Sequence, residues 1–188
     1  MSSSSDSHEW VLEAVELYEL PLHRYARRLL GDFDLAADAV QHAFVKLCEQ
    51  SQATLEGRVA PWLFRVCRNR AIDHLRQAGR EQASDDQSPV VTATAEAADP
   101  AVVAEHAEVG RRLLALVREL PAPQRETLDL WCEGFTSREI AEITARTEGH
   151  VRVLVHRGLA ALRSHPFAQR LLAADQPLHS RDEERHVS

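Results

Sequence analysis

Apolar residues recur at three- and four-residue intervals along most of this chain, and no stretch alternates with the two-residue period of a strand. Between residues 9 and 30, the positions Leu12, Val15, Leu17, Leu20, Leu22, Tyr25, Leu29 and Leu30 predict a helix. Pro21 marks a kink or break in it, and Gly31 offers a C-cap. Asp32 or Asp34 suits the N-cap of a second helix, whose stripe of Leu35, Ala39, Ala43 or Phe44, and Leu47 lasts to about Gln50. A polar turn over 51–57 leads to Pro61, in the first turn of a third helix that runs to Gly79. Further on, RRLLALVREL reads as a helix stopped by Pro121 and Pro123. Residues 124–132 make another, with Leu128 and either Leu130 or Trp131 inward, ending near Gly134. Two short periodic segments follow. Thr136 or Ser137 caps the first, which carries Ile140, Ala141 and Ile143, and the second starts after Thr147 and carries Val151, Val155, Leu159 and Leu162. That succession is helix, short turn, helix.

The fold class is therefore all-α: two small helical domains, 9–80 and 109–165, joined by an acidic flexible linker over 81–108. The linker is rich in Ala, Ser and Thr, and Pro100 opens a short helix at its end. A charged linker self-repels and extends, which lets the two blocks sit apart on a large partner. The tail from 166 to 188 receives no role.

Charge placement changes the picture more than composition does. The chain has 22 Lys plus Arg against 29 Asp plus Glu, a net charge of -7 that looks wrong for a nucleic-acid binder. Seven of the negatives lie in 81–108, which has no Lys or Arg, and five more lie in the first twenty residues. What remains is basic in two blocks, ten basic against six acidic over 21–80 and nine against seven over 109–165. Local patches of this kind, rather than whole-chain charge, set attraction to phosphates. No apolar run approaches the roughly 18 residues of a membrane span, and the first residues lack a basic flank leading into an apolar stretch. The expectation is a cytoplasmic protein without membrane insertion. Three separated cysteines, Cys48, Cys67 and Cys132, form no CxxC pair and read as buried reduced thiols.

Two stretches carry candidate chemistry. In the last helix of the pair, Glu148, His150, Arg152, Val153, His156 and Arg157 fall opposite or beside the apolar stripe, where arginines suit guanine edges or phosphates in a major groove. Over 58–80, Arg58, Arg65, Arg68, Arg70, Arg76 and Arg80 face only Asp73, with Trp62, Phe64, Asn69 and His74 interleaved. Basic residues track a phosphate backbone while aromatic and amide groups stack on or bond unpaired bases, so this composition fits melted or single-stranded DNA. Trp62, Leu63, Val66, Ile72 and Leu75 also fit a plain core face. No Gly-rich phosphate loop, HExxH, GxSxG or calcium loop is present, and the ten histidines are scattered, so neither an enzyme nor a cofactor is implied.

Three stretches, DLAADAVQHAFVKLCE, APWLFRVCRNRAIDHLRQAGR and LPAPQRETLDLWCEGFTSREIAEITARTEGHVRVLVHRGLAALR, in this order and spacing, resemble bacterial sigma factors of the sigma-70 class in their extracytoplasmic-function (ECF) group. The resemblance covers about residues 15–80 and 110–165 and implies family regions 2 and 4 on a variable linker. It implies a non-enzymatic subunit that binds core RNA polymerase and directs transcription initiation at promoter DNA, both duplex and melted, with an anti-sigma factor as a common further partner. Asp34, Asp38, Gln41 and Phe44 then match the polymerase-docking helix. Arg58, Arg65, Arg68, Asn69, Arg70, Asp73 and Arg76 match the segment that reads and opens the minus-ten element, with 51–59 as the loop that holds a flipped base. Glu148, His150, Arg152, Val153, His156 and Arg157 match the reader of the minus-thirty-five element. From the residues alone, a stand-alone helix-turn-helix regulator remains the alternative.

Departures from the family pattern are specific. Ala37 and His42 replace usual acidic or polar residues of the docking helix, and Val153-Leu154 stands where Ser-Arg is common. Thr144, Ala145 and Arg146 replace the usual Leu, Gly and apolar residue of the turn, so Arg146 is expected to snorkel or to contact phosphate.

Overall fold

The computed structural model describes residues 3–55, 57–82 and 102–174, and every described element is helical. The first half holds α1 (Ser3–Leu30), α2 (Phe33–Cys48), the single turn α3 (Gln52–Leu55) and α4 (Val59–Gln82). The second holds α5 (Val102–Glu119), α6 (Ala122–Cys132), α7 (Ser137–Thr144), α8 (Glu148–Ser164) and α9 (Pro166–Ala174). Of the acidic linker, residues 83–101 lie outside the described residues, and α5 already begins at Val102.

Local chemistry explains the boundaries. Gly31 closes α1 with φ 72, its N–H donating to the Arg27 carbonyl at 2.8 Å. Asp32 rather than Asp34 caps α2, its carboxylate accepting from the Leu35 N–H at 2.9 Å. Pro21 sits inside α1 without ending it. The last helix, α9, takes up the part of the tail nearest α8 and packs on it, with Ala168 buried and the Arg112 guanidinium 5.5 Å from the centre of the Phe167 ring.

Helix α1 corrects one sequence expectation. Its buried face is Trp10, Val11, Ala14, Leu22, Tyr25 and Ala26, while Leu12, Leu17 and Leu20 are exposed. A leucine-rich helix offers apolar residues on several sides, and the contact with α2 and α4 selects one of them. In α2 the core positions are Ala36, Ala39, Val40, Ala43 and Leu47, with Leu35 turned outward. Leu75, near the end of α4, is also exposed, although Leu63 and Phe64 are fully buried. Cys67 is buried, and desolvation pushes its thiol up to about 12, whereas Cys48 and Cys132 are exposed, contrary to the expectation for all three.

The two halves share one core. Leu130, Ile140, Ile143 and Val151 of the second half join the cluster built on Tyr25, Leu47, Leu63 and Phe64 of the first. Phe64 is the hinge of this packing, 5.3 Å from Tyr25 and 4.7 Å, edge to face, from Phe135 by ring centres. Helix α7 lies against α4, and α6 touches α1.

Candidate functional site

The helix-turn-helix is α7 and α8. Thr136 and Glu139 form a capping box, the Thr136 hydroxyl accepting from the Glu139 N–H at 3.3 Å and the Glu139 carboxylate accepting from the Thr136 N–H at 2.8 Å. Ala145 then adopts the left-handed conformation, φ 54, a position that favours glycine, and the Arg146 N–H closes the turn on the Ala141 carbonyl at 3.0 Å. Thr147 caps α8 by accepting from the His150 N–H. Val151 and Leu154 anchor α8 inward, so Leu154, unlike Val153, belongs to the core and no side chain at that position faces outward. His150, Arg152, Val153, His156 and Arg157 are all exposed on one side of the helix, and Glu148 is half-buried at its start, paired with Arg152 one turn on.

On α4 the sequence-predicted residues separate into two groups. Arg65, Asn69, Asp73 and Arg76 are exposed at helical spacing and form a continuous row, with Arg76 Nη1 3.6 Å from Asp73 Oδ1. Arg58, at the approach to α4, is exposed and lines a surface pocket with Leu55, Pro61, Trp62, Arg65 and Glu142. Trp62 is half-buried, one wall of that pocket as well as a neighbour of the core.

The other two arginines point elsewhere. Arg70 donates from Nε to Asp38 Oδ2 at 2.8 Å, and His74 Nε2 lies 2.8 Å from the same oxygen. Hydrogen bonds from Arg70 and His74 hold the Asp38 carboxyl below its ordinary value. Asp38 thus ties the expected docking helix to the expected promoter helix, while Asp34 and Gln41, with Val45, are exposed along α2 and Phe44 is half-buried beside them.

Arg68 is drawn into the junction between halves. Its Nε donates to Glu126 Oε1 at 2.5 Å and its Nη2 to Oε2 at 3.4 Å. Contrary to the expectation that it snorkels to water or contacts phosphate, Arg146 donates from Nη1 to Glu126 Oε2 at 2.9 Å. The Tyr25 hydroxyl donates to Oε1 at 3.3 Å. Burial raises the Glu126 carboxyl, but the two guanidiniums outweigh burial and hold it below the usual glutamate value. Around this centre, Arg28 Nη2 donates to Glu133 Oε1 at 2.9 Å and Arg28 Nε lies 3.2 Å from Asp129 Oδ2. Arg24 Nη2 lies 3.3 Å from Glu133 Oε2, and Arg58 Nη1 4.0 Å from Glu142 Oε2. The sequence reading did not single out Glu126 as the centre of this ion-pair network. The signal was its position one turn before Leu130, which places a carboxylate on the inward face of α6.

Among the described residues, no cluster of three or more His, Cys, Asp or Glu is placed to hold a metal, and no helix is long and apolar enough to cross a membrane.

Residues 14–81 match the Sigma-70 region 2 family and residues 110–162 the Sigma-70, region 4 family. The ECF RNA polymerase sigma factor SigL of Mycobacterium tuberculosis is 33% identical over 148 residues, which is 76% of this chain and 80% of that protein. The chain belongs to the ECF sigma factors. The ECF sigma factor SigM of Bacillus subtilis is 28% identical, across 81% of this chain and 92% of its own. The ECF sigma factor SigE of Mycolicibacterium smegmatis is 29% identical across 81% of this chain, which spans 60% of that longer relative. In fold, the ECF chain resembles the sigma factor RpoE in its complex with the anti-sigma factor NepR from Bartonella quintana. The TM-score is 0.64 at 22% identity, covering 87% of this chain and 97% of RpoE.

Proposed function

We propose that this ECF sigma factor binds core RNA polymerase through the α2 surface of Asp34, Asp38, Gln41 and Phe44 and directs it to promoters with two elements. Residues 9–80 then serve polymerase docking and minus-ten capture, residues 109–165 serve minus-thirty-five reading, and 81–108 is the tether. Arg65, Asn69, Asp73 and Arg76, with Arg58, receive the melted strand, and the exposed face of α8 enters the upstream major groove. Free energy for melting comes from binding, because bases captured outside the duplex offset lost stacking and pairing. An anti-sigma factor is a further partner, as for RpoE. The activity is non-enzymatic and cytoplasmic.

The observation that carries this reading is the coexistence of three exposed rows, on α2, α4 and α8, in one chain. A duplex-binding regulator needs only the third. Run-off transcription with purified core polymerase and genomic promoter fragments tests it. Discrete new transcripts are expected with the wild type. Gln41→Arg with Asp34→Arg removes them while sparing promoter binding through α8. Arg152→Ala and Arg157→Ala weaken upstream binding by about 1 to 3 kcal/mol for a side chain in a bidentate base contact. Duplex binding without transcripts or co-elution of polymerase overturns the reading in favour of a stand-alone regulator.

A further inference from the structure

We propose that Arg70 and His74, although they lie on the strand-reading helix, serve polymerase docking: they are positioning residues that hold the Asp38 carboxylate of α2 in the orientation a partner meets. This rests on the proposal that the α2 surface binds core polymerase. On α4, Arg70 and His74 each follow a member of the exposed row, Asn69 and Asp73, and stand one turn apart in the adjoining row. That adjoining row faces α2. Arg70 Nε donates to Asp38 Oδ2 at 2.8 Å and His74 Nε2 lies 2.8 Å from the same oxygen, so side chains from successive turns converge on one atom. The guanidinium recognises carboxylate and phosphate by the same geometry, and here the carboxylate has taken it.

Exposure orders the three groups from inside to outside. The His74 side chain is 14% exposed, Arg70 38% and Asp38 45%, so the holders are more enclosed than the group they hold. A carboxylate offers about four lone-pair sites on two oxygens, and both donors meet Oδ2, which leaves Asp38 acceptor capacity for a polymerase donor. Asp38 stands one turn from Asp34 and one turn from Gln41 on the proposed docking surface. Without its holders, Asp38 turns freely beside the like charge of Asp34, and a partner must order it at the moment of binding. With them, that ordering precedes the encounter. An ionised carboxylate only accepts, so His74 donates from Nε2, and a glutamine amide can replace that donor where leucine cannot. Because half-exposed ion pairs add little to stability, losing the holders shows in docking rather than in unfolding.

The test measures three quantities on the full chain: affinity of the dye-labelled factor for core polymerase, affinity of the free factor for a single-stranded oligonucleotide of mixed sequence, and the urea midpoint. Arg70→Gln is expected to weaken core binding about tenfold and His74→Leu about fivefold, while His74→Gln returns it to within about twofold of the wild type. Urea midpoints stay close to the wild-type value. Arg70→Gln added to Asp38→Asn brings little further loss, because both act through one carboxylate. Arg65→Gln, from the exposed row, is the contrast, with its main loss in strand binding. Unchanged or tighter core binding by folded Arg70→Gln, or His74→Gln as weak as His74→Leu, overturns the positioning role. Strand binding lost by Arg70→Gln as fully as by Arg65→Gln assigns Arg70 to DNA and overturns it too. If Arg70→Gln loses its helical circular dichroism, the His74 pair decides alone. Wild-type binding to core with every Arg70 and His74 variant unchanged rejects the positioning role and keeps the docking surface. A wild type that leaves core polymerase unbound rejects the docking reading and this role with it.

Discussion

Gly158 of α8 meets α6 so closely that a Cβ built there falls 2.6 Å from Leu128 Cδ1 and 3.0 Å from its Cγ, and Leu128 is itself buried. Alanine gains about 0.5 to 1 kcal/mol in helix propensity at an interior position, but overpacking a filled core costs about 1 to 3 kcal/mol. Gly158→Ala is therefore expected to lower stability by up to about 2 kcal/mol in urea melts. Gly110→Ala in α5, where nothing lies within 4 Å, should raise it by about 0.5 to 1 kcal/mol. At this scale the sequence is legible where chemistry is local: the Thr136 cap and Gly31 follow from short-range hydrogen bonding alone. Glu126 and Arg146 are different. Each partner lies on another element, and no spacing within one helix announces that a carboxylate in α6 will meet Arg68, 58 residues earlier.

Helices were readable as helices, but not always the face they bury. Periodicity supplies an angle only when polar residues bound the stripe on both sides, as in α7, where Ile140 and Ile143 are buried as expected. In α1, Leu12, Leu17 and Leu20 interrupt the polar side, and only packing shows which set faces α2. The exposed row of α8 was legible because Val151 fixes the inward direction, whereas the division of the α4 arginines depended on Asp38 and Glu126, which lie on other helices. The α2–α4 tie gives an element-scale prediction. Because Arg70 and His74 hold the Asp38 carboxyl low, its stabilisation is complete above the ordinary aspartate value of about 3.9 and is lost as pH falls through the lower folded value. Asp38→Asn should flatten that acid limb in urea midpoints measured against pH. The loss at neutral pH stays under about 1 kcal/mol, since both Asp38 and Arg70 are partly exposed to screening water.

Across the whole molecule, an all-helical chain of two families of elements was legible, and their union was not. An acidic tether predicts blocks that sit apart on a large partner, yet Phe64 and its neighbours weld α1, α4, α6 and α7 in the free chain. A shared core makes unfolding cooperative. Calorimetry should show one transition covering both halves, and Phe64→Ala, removing a ring that is 1% exposed, should lower it as a unit by about 3 to 5 kcal/mol. Two resolved transitions in the wild type would contradict the shared core.

The same ring contact bears on interchangeability. Sigma regions invite exchange between relatives, because regions 2 and 4 occupy separate stretches of the chain, 14–81 and 110–162. Here a foreign C-terminal half must bring an aromatic ring to the place of Phe135 and a carboxylate to that of Glu126, or it leaves Phe64 wet and Arg68 buried without a counter-ion. Hybrids of this protein will therefore succeed or fail on the seam between their parts before promoter preference is ever expressed.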